Sequence, residues 1–133
     1  MARRELNLLL DTHIFLWLND RPEKLSNQAL KSCADPTNSI YLSLISLWEI
    51  QIKSQLGKLT ISASWQTMVQ TQSEENGLQI LSLSQAHIEQ LDLLGSHHRD
   101  PFDRMLIAQA RAEEMVLVSA DGVFENYDVM VIR

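Results

Sequence analysis

Four acidic residues from four separate segments, Asp11, Glu49, Asp103 and Asp121, are the side chains here whose type and placement could do chemistry. Asp11 closes an apolar run at 6–10, and Asp121 follows a second run at 115–118 after Ser119 and Ala120. Each also has an ordinary structural use, because an Asp that caps a helix N-terminus contributes about 1 kcal/mol. In Asp100-Pro101-Phe102-Asp103, Asp100 suits the cap and Pro101 the first helical position, which leaves Asp103 for other duty. Glu49, in Ser46-Leu47-Trp48-Glu49, fits a capping box with Ser46 as the cap. Its neighbours Leu47, Trp48, Ile50 and Ile52 are apolar, and an unpaired carboxylate emerging there is costly, so a metal ion would supply the missing partner. A carboxylate cluster of this kind suits Mg²⁺ or Mn²⁺. One cysteine, Cys33, and four scattered histidines argue against zinc. Without a cation, gathered carboxylates repel one another and their pKa values rise.

Other residues carry weaker signals. His13 and His87 fall in helical segments and read as packing or surface residues; His97 and His98 precede Asp100 in a polar turn, where contact with a phosphate competes with simple solvation. Trp17, Trp48 and Trp65 sit among apolar neighbours and read as core or dimer-interface anchors. Lys53, Lys58, Arg99 and Arg104 flank the acidic segments and could help a phosphate backbone lie across them. There is no Gly-x-Ser-x-Gly elbow, Walker loop or dinucleotide glycine pattern, which disfavours serine-hydrolase and nucleotide-cofactor chemistry.

The elements that must position the acids alternate. Residues 6–10 read as a strand, 12–18 as a helix, 22–34 as a second helix, 40–42 as a strand, and 44–56 as a helix ended by Gly57. A helix at 64–75 closes on Asn76-Gly77. A strand at 78–83, a helix at 84–94 capped by Ser84, a helix at 101–114, a strand at 115–118 and an edge strand at 129–132 complete the chain. Continuous apolar strands alternating with helices predict an α/β fold, a three-layer α/β/α sandwich around a central, mostly parallel sheet. Ligands of such sheets bind beyond the carboxyl ends of the strands, where Asp11 and Asp121 fall.

The 133 residues are 45% hydrophobic and 21% charged, with 4 Gly and 3 Pro, which predicts one globular domain over 1–133 and excludes disorder or a fibrous repeat. The net charge of −6 opposes a polyanionic partner unless a bound cation reverses the local field. The apolar run behind Arg3 and Arg4 is too short for an export signal or a membrane span, so a cytoplasmic location and no membrane association are expected.

Several blocks carry a family likeness: Leu8-Leu9-Leu10-Asp11-Thr12-His13; Ser46-Leu47-Trp48-Glu49-Ile50 followed by Gly57-Lys58-Leu59; His97-His98-Arg99-Asp100-Pro101-Phe102-Asp103-Arg104 continuing through Ala110; and Ser119-Ala120-Asp121 with Phe124 and Tyr127. In this order, over nearly the whole chain, they resemble the PIN domain of VapC-like toxins. The resemblance implies a PIN-like fold, a homodimer with the option of a larger toxin–antitoxin assembly, a cognate antitoxin, and endoribonuclease activity with Mg²⁺ or Mn²⁺. It implies Asp11, Glu49, Asp103 and Asp121 as the metal-site acids, with Asp11 central, and Ser119, Asp100 and Arg104 as accessory residues. Ser119 would orient water at the metal, whereas Asp100 is a cap first and an accessory acid second. One or two ions would activate water and stabilise charge on the scissile phosphate of RNA. Two alternatives stand beside this reading. One is a non-catalytic module that binds an antitoxin or RNA. The other is a Mg²⁺ phosphohydrolase of the haloacid dehalogenase kind, whose usual second acid is replaced here by His13.

Overall fold

The computed structural model describes residues 5–95 and 100–133. Its strands are β1 (Asn7–Leu10), β2 (Ser39–Ser43), β3 (Gln79–Leu81), β4 (Val116–Val118) and β5 (Val131–Ile132). They form one sheet in the order β3-β2-β1-β4-β5, and every neighbouring pair is parallel. The helices are α1 (Thr12–Asp20), α2 (Asn27–Ala34), α3 (Leu44–Gln55), α4 (Trp65–Asn76), α5 (Gln85–Gln90) and α6 (Pro101–Glu113).

Strand periodicity divides the core in two. Leu8 and Leu10 of β1, with Ile40 and Leu42 of β2 and Val116 and Val118 of β4, face a layer built from Ile14 and Phe15 of α1, Ala29 and Cys33 of α2, Leu47 and Ile50 of α3, and Met68 of α4. Leu9 and Leu117 point the other way, onto Met105, Leu106, Ile107 and Ala110 of α6, with Phe124 and Tyr127. The expected three-layer sandwich is therefore present, its sheet wholly parallel.

Local chemistry explains most helix ends. Asp11, Ser26, Ser43, Ser64, Ser84 and Asp100 cap the six helices by accepting backbone N–H groups. Gly77 ends α4 at φ 69°, a conformation that suits glycine. Three details depart from the sequence reading. The expected helix at 22–34 is split: Pro22–Lys24 is a 3-10 turn, Leu25 is extended and buried, and Ser26 restarts the chain as α2. The helix expected at 84–94 ends as a 3-10 turn at Leu91–Leu93. The cap of α3 is Ser43, not Ser46, which is buried inside the helix; β2 runs straight into α3 and leaves no turn where Ser46 could act.

Candidate functional site

Strand order decides where the acids meet. From β1 the chain builds outward through β2 and β3 on one side, and β4 and β5 lie on the other, so strand order reverses between β1 and β4. A crevice opens at the carboxyl edge of such a switch point. The backbone N–H of Asp11 donates to the carbonyl of Val118 at 3.0 Å, which brings the last residues of both strands side by side. An open cleft of about 480 Å³ lies there, lined by Asp11, Glu49, Asp100, Asp103 and Asp121, with Thr12, Lys53, His13 and Trp17.

Asp11 sits at its floor, 7% exposed. One carboxylate oxygen accepts the N–H of Ile14 at 2.8 Å as the cap of α1, and the other accepts the hydroxyl of Ser119. Burial pushes its pKa upward, the bonds from Ser119 and Ile14 and the charge of His13 oppose the rise, and the Asp121 charge adds to it. Ser119 is fully buried at the end of β4. Besides donating to Asp11, its oxygen accepts the N–H of Asp121 at 3.0 Å, so one hydroxyl ties two of the acidic segments together. Asp121 itself is exposed at the rim and accepts the N–H of Val123 at 3.0 Å.

Glu49 rises from the second turn of α3 and is 5% exposed. The sequence leaves this carboxylate without a partner, but the fold provides two. The Thr12 hydroxyl donates to Oε1 at 2.6 Å, and Lys53 Nζ donates to Oε2 at 2.5 Å. Lys53 is held charged above its ordinary range, chiefly by the bond to Glu49 and then by the charges of Glu49, Asp100 and Asp103. Asp100 caps α6 by accepting from Phe102 N at 2.9 Å and Asp103 N at 3.3 Å, which sets Asp103 in the first turn at the cleft wall.

The four acids singled out in the sequence thus border one space. Among the described residues, no three His, Cys, Asp or Glu side chains are drawn together into a finished ligand cage. Arg104 lies elsewhere: its guanidinium donates to the Gly95 carbonyl at 2.8 Å, and it borders an apolar groove with Trp48, Ile88 and Phe102. His97, His98 and Arg99 fall outside the described residues. His13 borders the cleft, whereas His87 is buried and closes a capping box with Ser84. Trp48 is 59% exposed and meets Phe102 edge to face, and Trp65 donates to Gln51 at 2.9 Å. Thr12 was not singled out from the sequence, though its place directly after Asp11 is the signal that would have found it.

Solved structures share this fold. The chain is similar in structure to VapBC2 of Rickettsia felis bound to a promoter DNA fragment, with a TM-score of 0.73, 19% identity, and coverage of 96% of this chain and 98% of that one. It is also similar to DNA-bound VapBC of Salmonella typhimurium, with a TM-score of 0.68, 14% identity and coverage of 96% and 97%. FitAcB of Neisseria gonorrhoeae gives a TM-score of 0.62 at 20% identity over 95% and 96%. No curated protein matches the chain in sequence. The profile of the PIN domain matches residues 8–130, and the chain belongs to the PIN-domain family.

Proposed function

We propose that this chain is a metal-dependent endoribonuclease acting as the toxin of a toxin–antitoxin pair, and that it works as a single domain over 1–133 in the cytoplasm. The observation that carries this reading is the convergence of Asp11, Glu49, Asp103 and Asp121 on one cleft at the switch point of the sheet. Membership of the PIN-domain family and structural likeness to VapBC and FitAcB complexes support it.

The residues present fit a hard divalent cation, Mg²⁺ or Mn²⁺. All donors are carboxylate oxygens, and one of the two buried ones, Asp11, is an acid whose ionised form burial penalises. Asp11 would be the central ligand, with Asp103, Asp121 and Glu49 completing the site. When bound, the cation supplies Lewis-acid activation of water and neutralises charge on the scissile phosphate. The protein's own part is positioning. Ser119 and the Ile14 N–H hold both oxygens of Asp11, and Thr12 fixes the rotamer of Glu49, which orients the attacking water. Attack of water at phosphorus leaves a 5′-phosphate and a 3′-hydroxyl.

Two partner surfaces accompany the reading. A second copy covers the apolar face of Leu44, Trp48, Leu83, Ile88 and Phe102, which exposes large side chains on α3 and before and within α5. An antitoxin restrains the cleft. Among the described residues, no helix is long and apolar enough to cross a membrane.

The test is incubation of a mixed RNA pool with purified protein and Mg²⁺ or Mn²⁺, beside Asp11→Asn and an EDTA control. Metal-dependent cutting that vanishes in Asp11→Asn, with 5′-phosphate ends, is expected. Equal cutting by both proteins, or a 2′,3′-cyclic end, overturns the assignment.

A further inference from the structure

The acidic cleft contains a cation of its own. Among the described residues that line it, Lys53 is the one Lys or Arg, set against five carboxylates from Asp11, Glu49, Asp100, Asp103 and Asp121. It stands one helical turn beyond Glu49 on α3, with the acid N-terminal to the base, the favourable order for a helical pair. Both oxygens of Glu49 are already engaged, Oε1 by Thr12 and Oε2 by the ammonium at 2.5 Å. The carboxylate is nearly buried while the Lys53 side chain is 37% exposed, so the ammonium can leave for water at modest cost while Glu49 cannot.

We propose that Lys53 is a tethered counter-ion that holds Glu49 in the metal-free cleft and must be displaced from Oε2 for a divalent cation to bind, so that it sets the metal affinity of the site. This rests on the metal-site reading above. Without Lys53, the described residues that line the cleft would set five carboxylates around one space with no lysine or arginine among them. With it, the empty cleft is partly neutralised and Glu49 keeps one rotamer. An entering cation then exchanges one positive partner for another at the same oxygen. A positioning residue of this kind lowers affinity for the metal while preserving the fold between binding events.

The experiment is calorimetric titration of Mn²⁺ into the full chain and into Lys53→Met, Lys53→Gln, Lys53→Arg and Lys58→Met. Lys58 is exposed, does not line the cleft, and gives the same change in net charge. Lys53→Met and Lys53→Gln are expected to bind Mn²⁺ roughly fivefold more tightly, the scale of a half-exposed ion pair. Lys53→Arg and Lys58→Met should stay within about twofold of the parent, since each keeps a cation at the cleft. Equal or weaker binding by Lys53→Met and Lys53→Gln, with the parent still binding, overturns the role of Lys53 and leaves the metal site standing. Mn²⁺ binding by none of the proteins overturns both. If neither neutral variant folds, amine acylation of the parent decides: Lys53 should react faster with Mg²⁺ present while Lys58 does not change, and equal reactivity of Lys53 with and without Mg²⁺ overturns the proposal.

Discussion

Replacing Asp11, a buried acid of the cleft, with Asn should make the metal-free protein more stable while removing its activity. Asp11 is 7% exposed, and its pKa is raised above 3.8 by burial and by the neighbouring charge of Asp121. A carboxyl whose folded pKa lies above its unfolded value binds more protons in the fold than in the unfolded chain. Stability therefore falls as pH rises from 3.8 through the folded pKa, and the penalty is fully present above it. Asn at this position keeps the acceptor for the Ile14 N–H, since Asn caps a helix as well as Asp does. Its amide can donate to the Ser119 oxygen in place of accepting from it, so both contacts survive without the charge. The net gain for Asp11→Asn is on the order of 1 kcal/mol, the scale that separates a charged buried group from a neutral one with its hydrogen bonds intact. For a chain of this size that corresponds to roughly 4 °C in melting temperature. The assay is urea and thermal unfolding in EDTA at pH 7, repeated down to pH 4, where the advantage should shrink as the parent protonates. Saturating Mg²⁺ should invert the order, because a ligand at a hundred times its Kd stabilises the parent by about 2.7 kcal/mol and the variant has lost its central ligand. A variant less stable than the parent by 1 kcal/mol or more in EDTA at pH 7 would refute the claim that burial penalises this carboxylate.

Ser119→Ala removes a donor to a buried carboxylate and the acceptor for Asp121 N–H, so it should cost about 2 kcal/mol in urea unfolding and lower activity by loosening two acidic segments at once. Gly77→Ala forces a side chain to φ 69° at the end of α4 and should cost about 1 kcal/mol; because a Cβ there meets nothing within 4 Å, the loss is one of backbone conformation and not of packing. The Cys33 thiol is pushed up to about 11 by burial, so it should resist a thiol-specific reagent at pH 8 in the native state and react at once in denaturant; rapid native labelling would show that α2 opens readily.

Much of this architecture is written locally. The apolar runs ending at Leu10 and Val118, the caps Ser84 and Asp100, and Gly77 past the end of α4 each act through neighbours within a few residues, so a linear reading finds them. The same locality explains the misreadings around Pro22 and Ser46. A helical apolar spacing at 22–34 does not reveal that Leu25 leaves the helix to enter the core, nor does a capping-box pattern reveal that β2 continues directly into α3.

By itself, the sequence determined the α/β alternation, the family blocks and the identity of the four acids, because residue type and short-range spacing are sufficient for these. Tertiary structure alone decided that β4 would lie against β1, placing Ser119 within hydrogen-bonding reach of Asp11, 108 residues earlier in the chain. It also decided that Glu49 would be met by Thr12 and Lys53, so that an apparently unpaired carboxylate is paired. The reason is physical: strand order and register follow from burying both faces of the sheet at once, and that condition involves every strand and helix together.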